Sequence, residues 1–274
     1  MNTYTTTRWG FERLDMRREK TYAQRREQRA KEAITCLKLT GHNPRLGLLL
    51  DLGCGLGHLT RYFLKLGIEA VGVDISRELM KLAKKKNVPS GSFVLADGVK
   101  LPFREESFNT VILNDVLEHV HYNFANPMLN EVRRTLKMDG KLYISVANKY
   151  QIREPHTHIP FLTWFPRPCW NSIYRFIRKR PMPSYYPYTT RKLKRLCRET
   201  SFTCKNYTWF YTWNKISNIK YIGDQTLKRM VKTIKKLRLS KQAYLVAEKV
   251  SEIVFVCVKQ NQLKDARPES LVQT

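Results

Sequence analysis

The segment Leu48–Thr60, LLLDLGCGLGHLT, joins an apolar run to a glycine-rich loop and decides the fold. Residues 46–51 predict a short buried strand of a parallel sheet, because a continuous apolar run ends there in an aspartate and glycines. Gly53, Gly55 and Gly57 follow, and glycine lets a backbone turn sharply and approach a ligand that a Cβ atom would exclude. The third glycine falls one residue earlier than a dinucleotide-binding loop requires. Taken alone, the loop therefore predicts either a ligand cradle or a tight structural turn.

Predicted strands and helices alternate along most of the chain. Strands separated by helices indicate βαβ units, a mainly parallel sheet and helices on both of its faces. The sequence therefore predicts an α/β fold. The predicted helices are residues 12–39, 59–66, 76–86 (capped by Ser76), 127–137 (closed by Asp139-Gly140), 190–199 and 216–249, and the predicted strands are residues 46–51, 69–73, 92–95, 110–113, 141–146, 202–210 and 252–259.

Polar side chains end four successive predicted strands. These are Asp51, Asp74 (in AVGVD), Asp97 (in FVLAD) and Asn114-Asp115 (in VILND). Ligands of open α/β sheets bind outside the carboxyl ends of the strands, so these side chains are predicted to share one edge. A single aspartate after a strand is usually a turn or cap residue. Four such ends in succession, with a glycine loop, favour a binding site.

With these motifs the chain resembles the class I S-adenosylmethionine-dependent methyltransferases, in particular their type-11-like, small-molecule branch. The resemblance covers residues 46–148 closely and the strand Glu252–Lys259 loosely. It implies a Rossmann-like fold: a mainly parallel seven-stranded sheet with an antiparallel last strand, here with basic helical and aromatic insertions. It also implies an enzyme whose cofactor is S-adenosylmethionine.

The resemblance assigns the methionyl part of the cofactor to the glycine loop. It implies that Asp51 and the backbone of Gly53 and Gly55 hold this part, within the loop that includes Gly57, and that Asn114 lines the floor near the sulfonium. A cationic sulfonium and ammonium suit an acidic edge rich in carbonyl groups, whereas a pyrophosphate suits a helix N-terminus and positive charge. The acidic edge thus favours the methyl donor over a dinucleotide.

The adenosyl part is assigned to the second and third strand ends. The resemblance implies that Asp74 binds the ribose hydroxyls and that Ile75 lies beside the adenine. It further implies that Asp97 and Gly98 meet the adenine amino group. A carboxylate at the end of the second strand can accept hydrogen bonds from both ribose hydroxyls, and dinucleotide sites share that role.

Two histidines in the segment Glu154–His158, EPHTH, are candidates for a general base. His156 and His158 follow the fifth predicted strand, where the resemblance implies the acceptor pocket. A histidine there can take a proton from a hydroxyl acceptor near neutral pH. The alternative, which we favour, is that one or both hold this segment in place through hydrogen bonds.

The segment Asp115–His119, DVLEH, raises the question of a metal ion. It resembles a stretch of the ubiquinone-biosynthesis O-methyltransferases in which the acid, Glu118 and His119 can bind a divalent cation. The favoured interpretation is that Glu118 and His119 begin a helix and form local hydrogen bonds, because the segment contains a single histidine. We therefore predict no metal site.

Charge and cysteine content narrow the protein class. Of the net charge of +27, residues 149–274 contribute +19, from 26 Lys and Arg against 7 Asp and Glu. Such a surface attracts polyanions, although it can also serve solubility alone. No apolar run spans a bilayer and we find no secretory signal, so a cytoplasmic, reduced protein is expected. The dispersed cysteines predicted to be free thiols are Cys36, Cys54, Cys169, Cys197, Cys204 and Cys257.

The basic and aromatic regions suggest partners beyond a small-molecule acceptor. Residues 149–187, rich in proline and aromatics, are predicted to form a substrate loop. Together with the basic helix 216–249 they fit an anionic membrane surface, although packing of that helix on its own domain is favoured and RNA remains a weaker alternative. The predicted divisions are residues 1–45 (basic helical segment), 46–148 (cofactor-binding core), 149–188 (aromatic insert), 189–260 (rest of the sheet) and 261–274 (tail).

The sequence hypothesis is therefore a methyltransferase acting on a small, amphiphilic or membrane-presented molecule, with O-methylation favoured. An RNA methyltransferase is the first alternative. Against it, the fourth strand is followed by NDVL instead of the NPPY or DPPY tetrapeptide of base N-methyltransferases in this superfamily. A non-catalytic S-adenosylmethionine-binding scaffold is the alternative from another class.

Overall fold

The computed structural model describes residues 16–40, 46–85, 92–152, 157, 159–179, 181–182, 184–208, 210–212 and 252–260. Within these residues helices and strands alternate as far as β3, β4 follows β3 directly, and the later elements are more mixed. The strands are β1 (Leu49–Leu52), β2 (Ala70–Asp74), β3 (Phe93–Leu95), β4 (Phe108–Asn114), β5 (Leu136–Val146), β6 (Phe202–Asn206) and β7 (Ile253–Lys259). The α-helices are α1 (Met16–Lys38), α2 (His58–Lys65), α3 (Arg77–Lys84), α4 (Tyr122–Thr135), α5 (Arg167–Arg178) and α6 (Thr190–Glu199).

The strands form one sheet in the order β3-β2-β1-β4-β5-β7-β6. Neighbouring strands from β3 to β5 are parallel, whereas β7 is antiparallel to both β5 and β6. The predicted Rossmann-like fold, with a mainly parallel sheet and an antiparallel last strand, is confirmed. Because β1 to β4 run in the same direction, Asp51, Asp74, Asp97 and Asn114 share one side of the sheet, which we call the carboxyl edge.

Apolar side chains cover both faces of the sheet. Leu142 and Ile144 of β5 pack into one core with α4 and α6, while Tyr143 between them packs into the other core with α1 and α2. Successive side chains of a strand point to opposite faces, so a strand with apolar residues at every position is covered on both. The sheet therefore exposes its carboxyl edge for binding rather than a face.

The predicted helix 127–137 has the wrong bounds. The helix α4 begins at Tyr122, where the His121 side chain caps it by accepting a hydrogen bond from the Asn123 backbone N–H at 3.3 Å. Pro127, taken as the first helical residue because proline favours a helix start, lies inside α4 and is exposed. The helix ends at Thr135, and β5 includes the Asp139-Gly140 pair that was predicted to close the helix.

The sequence predicted a loop for the segment 149–187, but the structure shows that part of it is helical. It contains a 3-10 turn, Leu162–Trp164, and the helix α5, with Pro166 as N-cap and a proline in its first turn. Prolines at a helix start cost little, because the first N–H groups of a helix have no partner within it. The segment has its own small apolar core, formed by Ala147, Ile159, Leu162, Trp170, Tyr174 and Tyr185.

The prediction that all the cysteines are reduced is wrong for two of them. Cys204 of β6 and Cys257 of β7 are opposite each other in the antiparallel pair and form a disulfide. They are 53 residues apart in sequence, and only the pairing of these strands brings them together. Cys36, Cys54, Cys169 and Cys197 are free thiols.

Several predictions fall outside the described residues. These are the basic helix 216–249, the tail after Gln260 and the first residues of the N-terminal helix. Among the helices that are described, none combines the length and the apolar character needed to cross a bilayer.

Candidate functional site

The glycine loop between β1 and α2 has three glycines in the left-handed region, with φ of 77° at Gly53, 56° at Gly55 and 70° at Gly57. A Cβ atom on Gly53 would lie 2.5 Å from Val116, and one on Gly57 would lie 2.4 Å from the Phe93 ring. A Cβ atom on Gly55 would meet nothing within 4 Å. Gly53 and Gly57 are therefore required by packing, whereas Gly55 presents its backbone to open space.

Asp74, at the end of β2, fixes the turn at Gly55. One carboxylate oxygen accepts a hydrogen bond from the Gly55 N–H at 2.9 Å, and the other accepts one from the Ser76 N–H at 2.9 Å. Burial raises the pKa of Asp74 despite these hydrogen bonds. The next side chain, Ile75, is 40% exposed. An acceptor-rich carboxylate thus lies next to an exposed apolar side chain at this strand end.

Asp51, at the end of β1, is buried. Its carboxylate accepts a hydrogen bond from the Thr60 hydroxyl at 2.6 Å, which ties α2 to the strand. Burial raises the pKa of Asp51, although Thr60 and the charge of Arg26 act in the opposite direction. Asp51 therefore has a structural role that is visible in the fold, in addition to the binding role that the sequence predicted.

The third strand end lies beside the second. Leu95 pairs with Asp74, so the residues that follow β3 reach the same part of the carboxyl edge. Asp97 accepts a hydrogen bond from the Val99 N–H at 3.1 Å, and a Cβ atom on Gly98 would lie 2.7 Å from Met128. Four of the predicted cofactor-binding residues, Asp74, Ile75, Asp97 and Gly98, are therefore grouped at the ends of β2 and β3.

The end of β4 carries backbone strain and an unsatisfied polar atom. Asp115 has a φ of 58°, which is uncommon for a residue other than glycine and is frequent at binding sites. Asn114 donates a hydrogen bond to the Asp115 carboxylate at 2.9 Å. The Asn114 side-chain oxygen is buried and has no hydrogen-bond partner among the described residues.

Arginines of α1 reach this edge, which the sequence analysis missed. Arg26 donates a hydrogen bond to Asp115 at 2.9 Å. Arg29 pairs with Glu252, directly before β7, and lies 3.8 Å from Asp115. The only signal in the sequence was that α1 is basic and amphipathic. Which of its cations turn inward depends on how the helix packs.

Glu118, in the turn after β4, is 1% exposed. One of its oxygens accepts a hydrogen bond from the Ala147 N–H at 3.3 Å. Burial, followed by the charge of Asp115, raises the pKa of Glu118 well above its ordinary value, which favours the neutral carboxyl. The ligand atoms of Asp115, Glu118 and His119, all within the described residues, do not come together within 4.8 Å as a metal cluster would.

The candidate bases His156 and His158 lie outside the described residues. The adjoining part of the insert does reach the site, because the Tyr186 N–H donates to the Glu118 carbonyl at 2.7 Å. Likewise, the Tyr188 N–H donates to the Ala147 carbonyl at 3.0 Å. The insert therefore borders the carboxyl edge on the side of β4 and β5.

Residues 50–144 match the family model described as the methyltransferase domain. An uncharacterised protein of Methanocaldococcus jannaschii is 39% identical over 118 residues, which are 43% of this chain and 48% of that protein. A ubiquinone biosynthesis O-methyltransferase of Pelagibacter ubique is 32% identical over 104 residues, which are 37% of this chain and 42% of that protein. The chain spans about half the length of the curated relatives it matches.

Solved structures share the whole architecture. A SAM-dependent methyltransferase from Archaeoglobus fulgidus has a TM-score of 0.53 at 17% identity, over 86% of this chain and 94% of that chain. A SAM-dependent methyltransferase from Thermotoga maritima has a TM-score of 0.52 at 16% identity, over 89% and 95% of the two chains. At these identities the likeness concerns the fold.

Proposed function

We propose, since this chain carries a class I S-adenosylmethionine-dependent methyltransferase domain over residues 50–144, that it binds S-adenosylmethionine at the carboxyl edge and methylates a small molecule. The observation that carries the proposal is Gly55, whose backbone faces open space next to the Asp74 carboxylate. The Gly55 N–H donates to Asp74, so this opening lies beside the end of β2, at the edge of the sheet where open α/β folds bind ligands.

The residues at this edge fit the chemistry of the methyl donor. Its sulfonium and ammonium are cationic, and Asp51 and Asp74 supply negative charge or acceptor oxygens beside the loop. The Asn114 oxygen is buried and has no hydrogen-bond partner in the part of the chain that the structure describes, so a donor group of a ligand would satisfy it. In this proposal Asp74 accepts from the ribose hydroxyls, Ile75 and Gly98 border the adenine, and Asp97 accepts from its amino group.

Bound S-adenosylmethionine supplies an electrophilic methyl group on a positively charged sulfur. The protein's part is to align the acceptor in line with the sulfur–carbon bond and to exclude water. A hydroxyl acceptor forms the new carbon–oxygen bond while the old bonding pair stays on sulfur, and its proton passes to a base. We propose His156 or His158 for that proton. Glu118 is less suited to this role, because it is 1% exposed and one of its oxygens accepts a hydrogen bond from the Ala147 N–H.

Binding of the donor is tested by isothermal titration of the full chain with S-adenosylmethionine and S-adenosylhomocysteine. Asp74→Ala removes the carboxylate that orders Gly55, so the affinity should fall about a hundredfold, which corresponds to roughly two charge-assisted hydrogen bonds. Asp139→Ala, an exposed carboxylate on β5, is the matched control and should change the affinity less than about twofold. Equal affinities for Asp74→Ala and the native chain would overturn the site.

The acceptor atom is proposed to be oxygen. The support is the likeness to ubiquinone biosynthesis O-methyltransferases, at 32% identity for one of them. The assay follows transfer of a radiolabelled methyl group to hydroxyl-bearing aromatic and lipid-like compounds, with structured RNA as a separate arm. Methylation of RNA alone would favour the RNA alternative, and donor binding without transfer to any acceptor would favour a scaffold.

A second proposal concerns an exposed apolar face of the insert. Trp164, Phe165 and Phe176 are 48%, 50% and 77% exposed, and Phe176 lies on α5 among Arg175, Arg178 and Lys179. Aromatic side chains beside cations are typical of proteins that rest on an anionic bilayer. We propose that this face contacts such a surface and presents an amphiphilic acceptor to the site.

The membrane proposal is tested by flotation with vesicles that contain phosphatidylglycerol. Phe176→Ser should reduce the bound fraction several-fold, because it removes an aromatic ring that is exposed in the free protein. Leu66→Ser, which removes an exposed apolar side chain at the end of α2, should leave the bound fraction unchanged. Native protein that stays with the unbound fraction would contradict the proposal.

A further inference from the structure

Three helices begin at one place beside the proposed acceptor space. Tyr122 is the first residue of α4, Arg167 is the first residue of α5, and Lys192 lies in the first turn of α6. The Lys192 ammonium lies 2.8 Å from the centre of the Tyr122 ring, and the Arg167 guanidinium carbon lies 5.8 Å from the same centre. The positive ends of three helix dipoles therefore meet two cationic side chains.

Three tyrosines frame these cations. The Arg167 guanidinium lies 4.3 Å from the centre of the Tyr186 ring. The Tyr122 ring makes edge-to-face contacts with Tyr186 at 5.4 Å and with Tyr188 at 5.5 Å. The Tyr122 hydroxyl donates to the Pro187 carbonyl at 2.8 Å, which fixes the ring in place. We call Tyr122, Arg167, Tyr186, Tyr188 and Lys192 the helix-start cluster.

The helix-start cluster has positive charge without a carboxylate to balance it. Among the residues that the structure describes, no Asp or Glu oxygen lies within 4.0 Å of Arg167 or Lys192, and neither side chain donates a hydrogen bond. Burial lowers the pKa of Lys192, and the charges of Arg167, Arg195 and Lys149 lower it further. Cations gathered in this way repel one another until an anion neutralises them.

A buried hydroxyl adds a further polar group to the helix-start cluster. The Tyr188 side chain is 1% exposed, and its hydroxyl has no hydrogen-bond partner among the described residues. Two less exposed arginines of the described chain, Arg26 and Arg29, do have carboxylate partners. The charged donors of the helix-start cluster thus lie beside aromatic rings instead of carboxylates, and an oxyanion would complement their charge.

Backbone hydrogen bonds join the helix-start cluster to the carboxyl edge. Tyr186 and Tyr188 hydrogen-bond to Glu118 and Ala147, which follow β4 and β5. These two strands end on the side of the edge away from β2 and β3, where the adenosyl part of the donor is proposed to bind. An anion at the helix-start cluster would therefore lie on the acceptor side.

We propose that the helix-start cluster binds a phosphate-class oxyanion, with Arg167 and Lys192 as its charged donors, and that this anion belongs to the methyl acceptor. The second half of the proposal rests on the proposed function. The first half, an oxyanion site at this place, stands by itself. The acceptor would then be a phosphorylated compound, either free in solution or as a lipid headgroup.

Inorganic phosphate is the probe for the first experiment. Isothermal titration of the full chain at constant ionic strength compares the native protein with the double variant Arg167→Gln/Lys192→Gln. Each charged donor is expected to contribute about tenfold, so the double variant should bind phosphate roughly a hundredfold more weakly. The control double variant, Lys194→Gln/Arg198→Gln, removes the same charge from exposed positions of α6 and should change the affinity less than about twofold.

The outcomes separate this proposal from the methyltransferase proposal. A native chain that fails to saturate with phosphate, or an equal loss in both double variants, would overturn the oxyanion site. S-adenosylhomocysteine titrated into the same variants should bind unchanged, so absence of donor binding counts against the proposed function alone. If the double variant fails to fold, Arg167→Gln decides the question, because Arg167 is exposed and its loss creates no cavity.

The source of the anion is decided by competition. Phenyl phosphate, a soluble phosphomonoester, and vesicles containing phosphatidic acid are each used to displace inorganic phosphate. Displacement by phenyl phosphate alone assigns the site to a soluble acceptor, and displacement by the vesicles assigns it to a lipid headgroup. If neither displaces phosphate, the second half of the proposal, that the acceptor carries this phosphate, is wrong.

Discussion

The donor side and the acceptor side of the carboxyl edge are built from opposite chemistry. On the donor side, Asp51, Asp74 and Asp97 end adjacent strands, and their carboxylates accept hydrogen bonds from groups within 20 residues of them. On the acceptor side, Arg167 and Lys192 reach Tyr122 from helices far along the chain. A cationic sulfonium suits the first side and an oxyanion suits the second.

This difference shows how one fold can keep its cofactor site and change its substrate. The donor side is made by short strand–loop–helix units, so each acid is positioned by its own strand. The acceptor side combines side chains of α4 and α6 with an insert after β5 that has a separate small core, so the side chains of the insert can change without disturbing the sheet. The predictions below test whether the two sides are as independent as their construction suggests.

Arg29 should have the largest effect, because its guanidinium lies between two carboxylates at strand ends of the acceptor side. It pairs with Glu252, before β7, and lies near Asp115, after β4. Arg29→Met leaves two carboxylates facing each other without this guanidinium, and breaking such a buried pair costs about 3–5 kcal/mol of unfolding free energy. Urea unfolding of Arg29→Met is compared with that of Arg25→Met, which removes an exposed cation from the same helix and should cost under about 0.5 kcal/mol. A loss below about 1 kcal/mol for Arg29→Met would show that the acceptor side does not depend on this guanidinium.

The disulfide between β6 and β7 should stabilise the part of the sheet on the acceptor side without affecting the donor site. β6 is four strand positions from β1, a distance of roughly 19 Å. Cys204→Ser removes the link to Cys257 and should lower the unfolding free energy by about 3 kcal/mol. The affinity for S-adenosylhomocysteine at 20 °C or below should stay within about twofold. Cys169→Ser, which replaces an exposed free thiol, is the control, and a large loss of donor affinity in Cys204→Ser would mean that the halves are coupled.

Much of the donor side could be predicted from the sequence. Ser76 caps α3 by accepting a hydrogen bond from the Leu79 N–H at 3.3 Å, as its place before the helix indicated. The four polar strand ends share one edge, because parallel strands allow no other arrangement. These features follow from local patterns of a few residues.

The other features of the fold and of the candidate site could not be predicted, because they depend on contacts between residues that are far apart in the sequence. Cys204 and Cys257 pair only because β6 lies beside β7, and no spacing rule reveals that order. The helix α5 was hidden by the prolines around its start, which also occur in loops. Arg26 and Arg29 were two cations among many in a basic helix, and their orientation is decided by how α1 packs on the sheet.

Two substitutions in the glycine loop distinguish an effect on the fold from an effect on the binding site. Gly57→Ala places a Cβ atom 2.4 Å from the Phe93 ring at a φ of 70°, so it should cost about 2–3 kcal/mol of stability. Gly55→Ala meets no neighbour, so it should cost about 1 kcal/mol from its backbone conformation alone. The donor affinity should nevertheless fall at least about tenfold in Gly55→Ala, because the new methyl group enters the open space. The two effects are measured by thermal unfolding and by titration, and the reverse ranking in either measurement would contradict the assignment of Gly55 to the ligand.

Glu118 lies where the donor side and the acceptor side meet. Its substitution should have the smallest effect on the free energy of unfolding, and this effect should depend on pH. Burial and the charge of Asp115 raise its pKa in the folded protein, so the folded state holds a proton that the unfolded state releases at lower pH. The resulting stability is complete below the ordinary carboxyl pKa and is lost as the pH rises towards the raised value. Glu118→Gln keeps a neutral side chain that can still accept from the Ala147 N–H, so its unfolding free energy should fall less between pH 5 and pH 9 than that of the native chain, by roughly 1–2 kcal/mol. Urea unfolding across this range is the measurement, and parallel curves would mean that Glu118 ionises freely. In that case the boundary between the acidic and the basic side would carry a negative charge, and Glu118 would belong with the acids of the donor side.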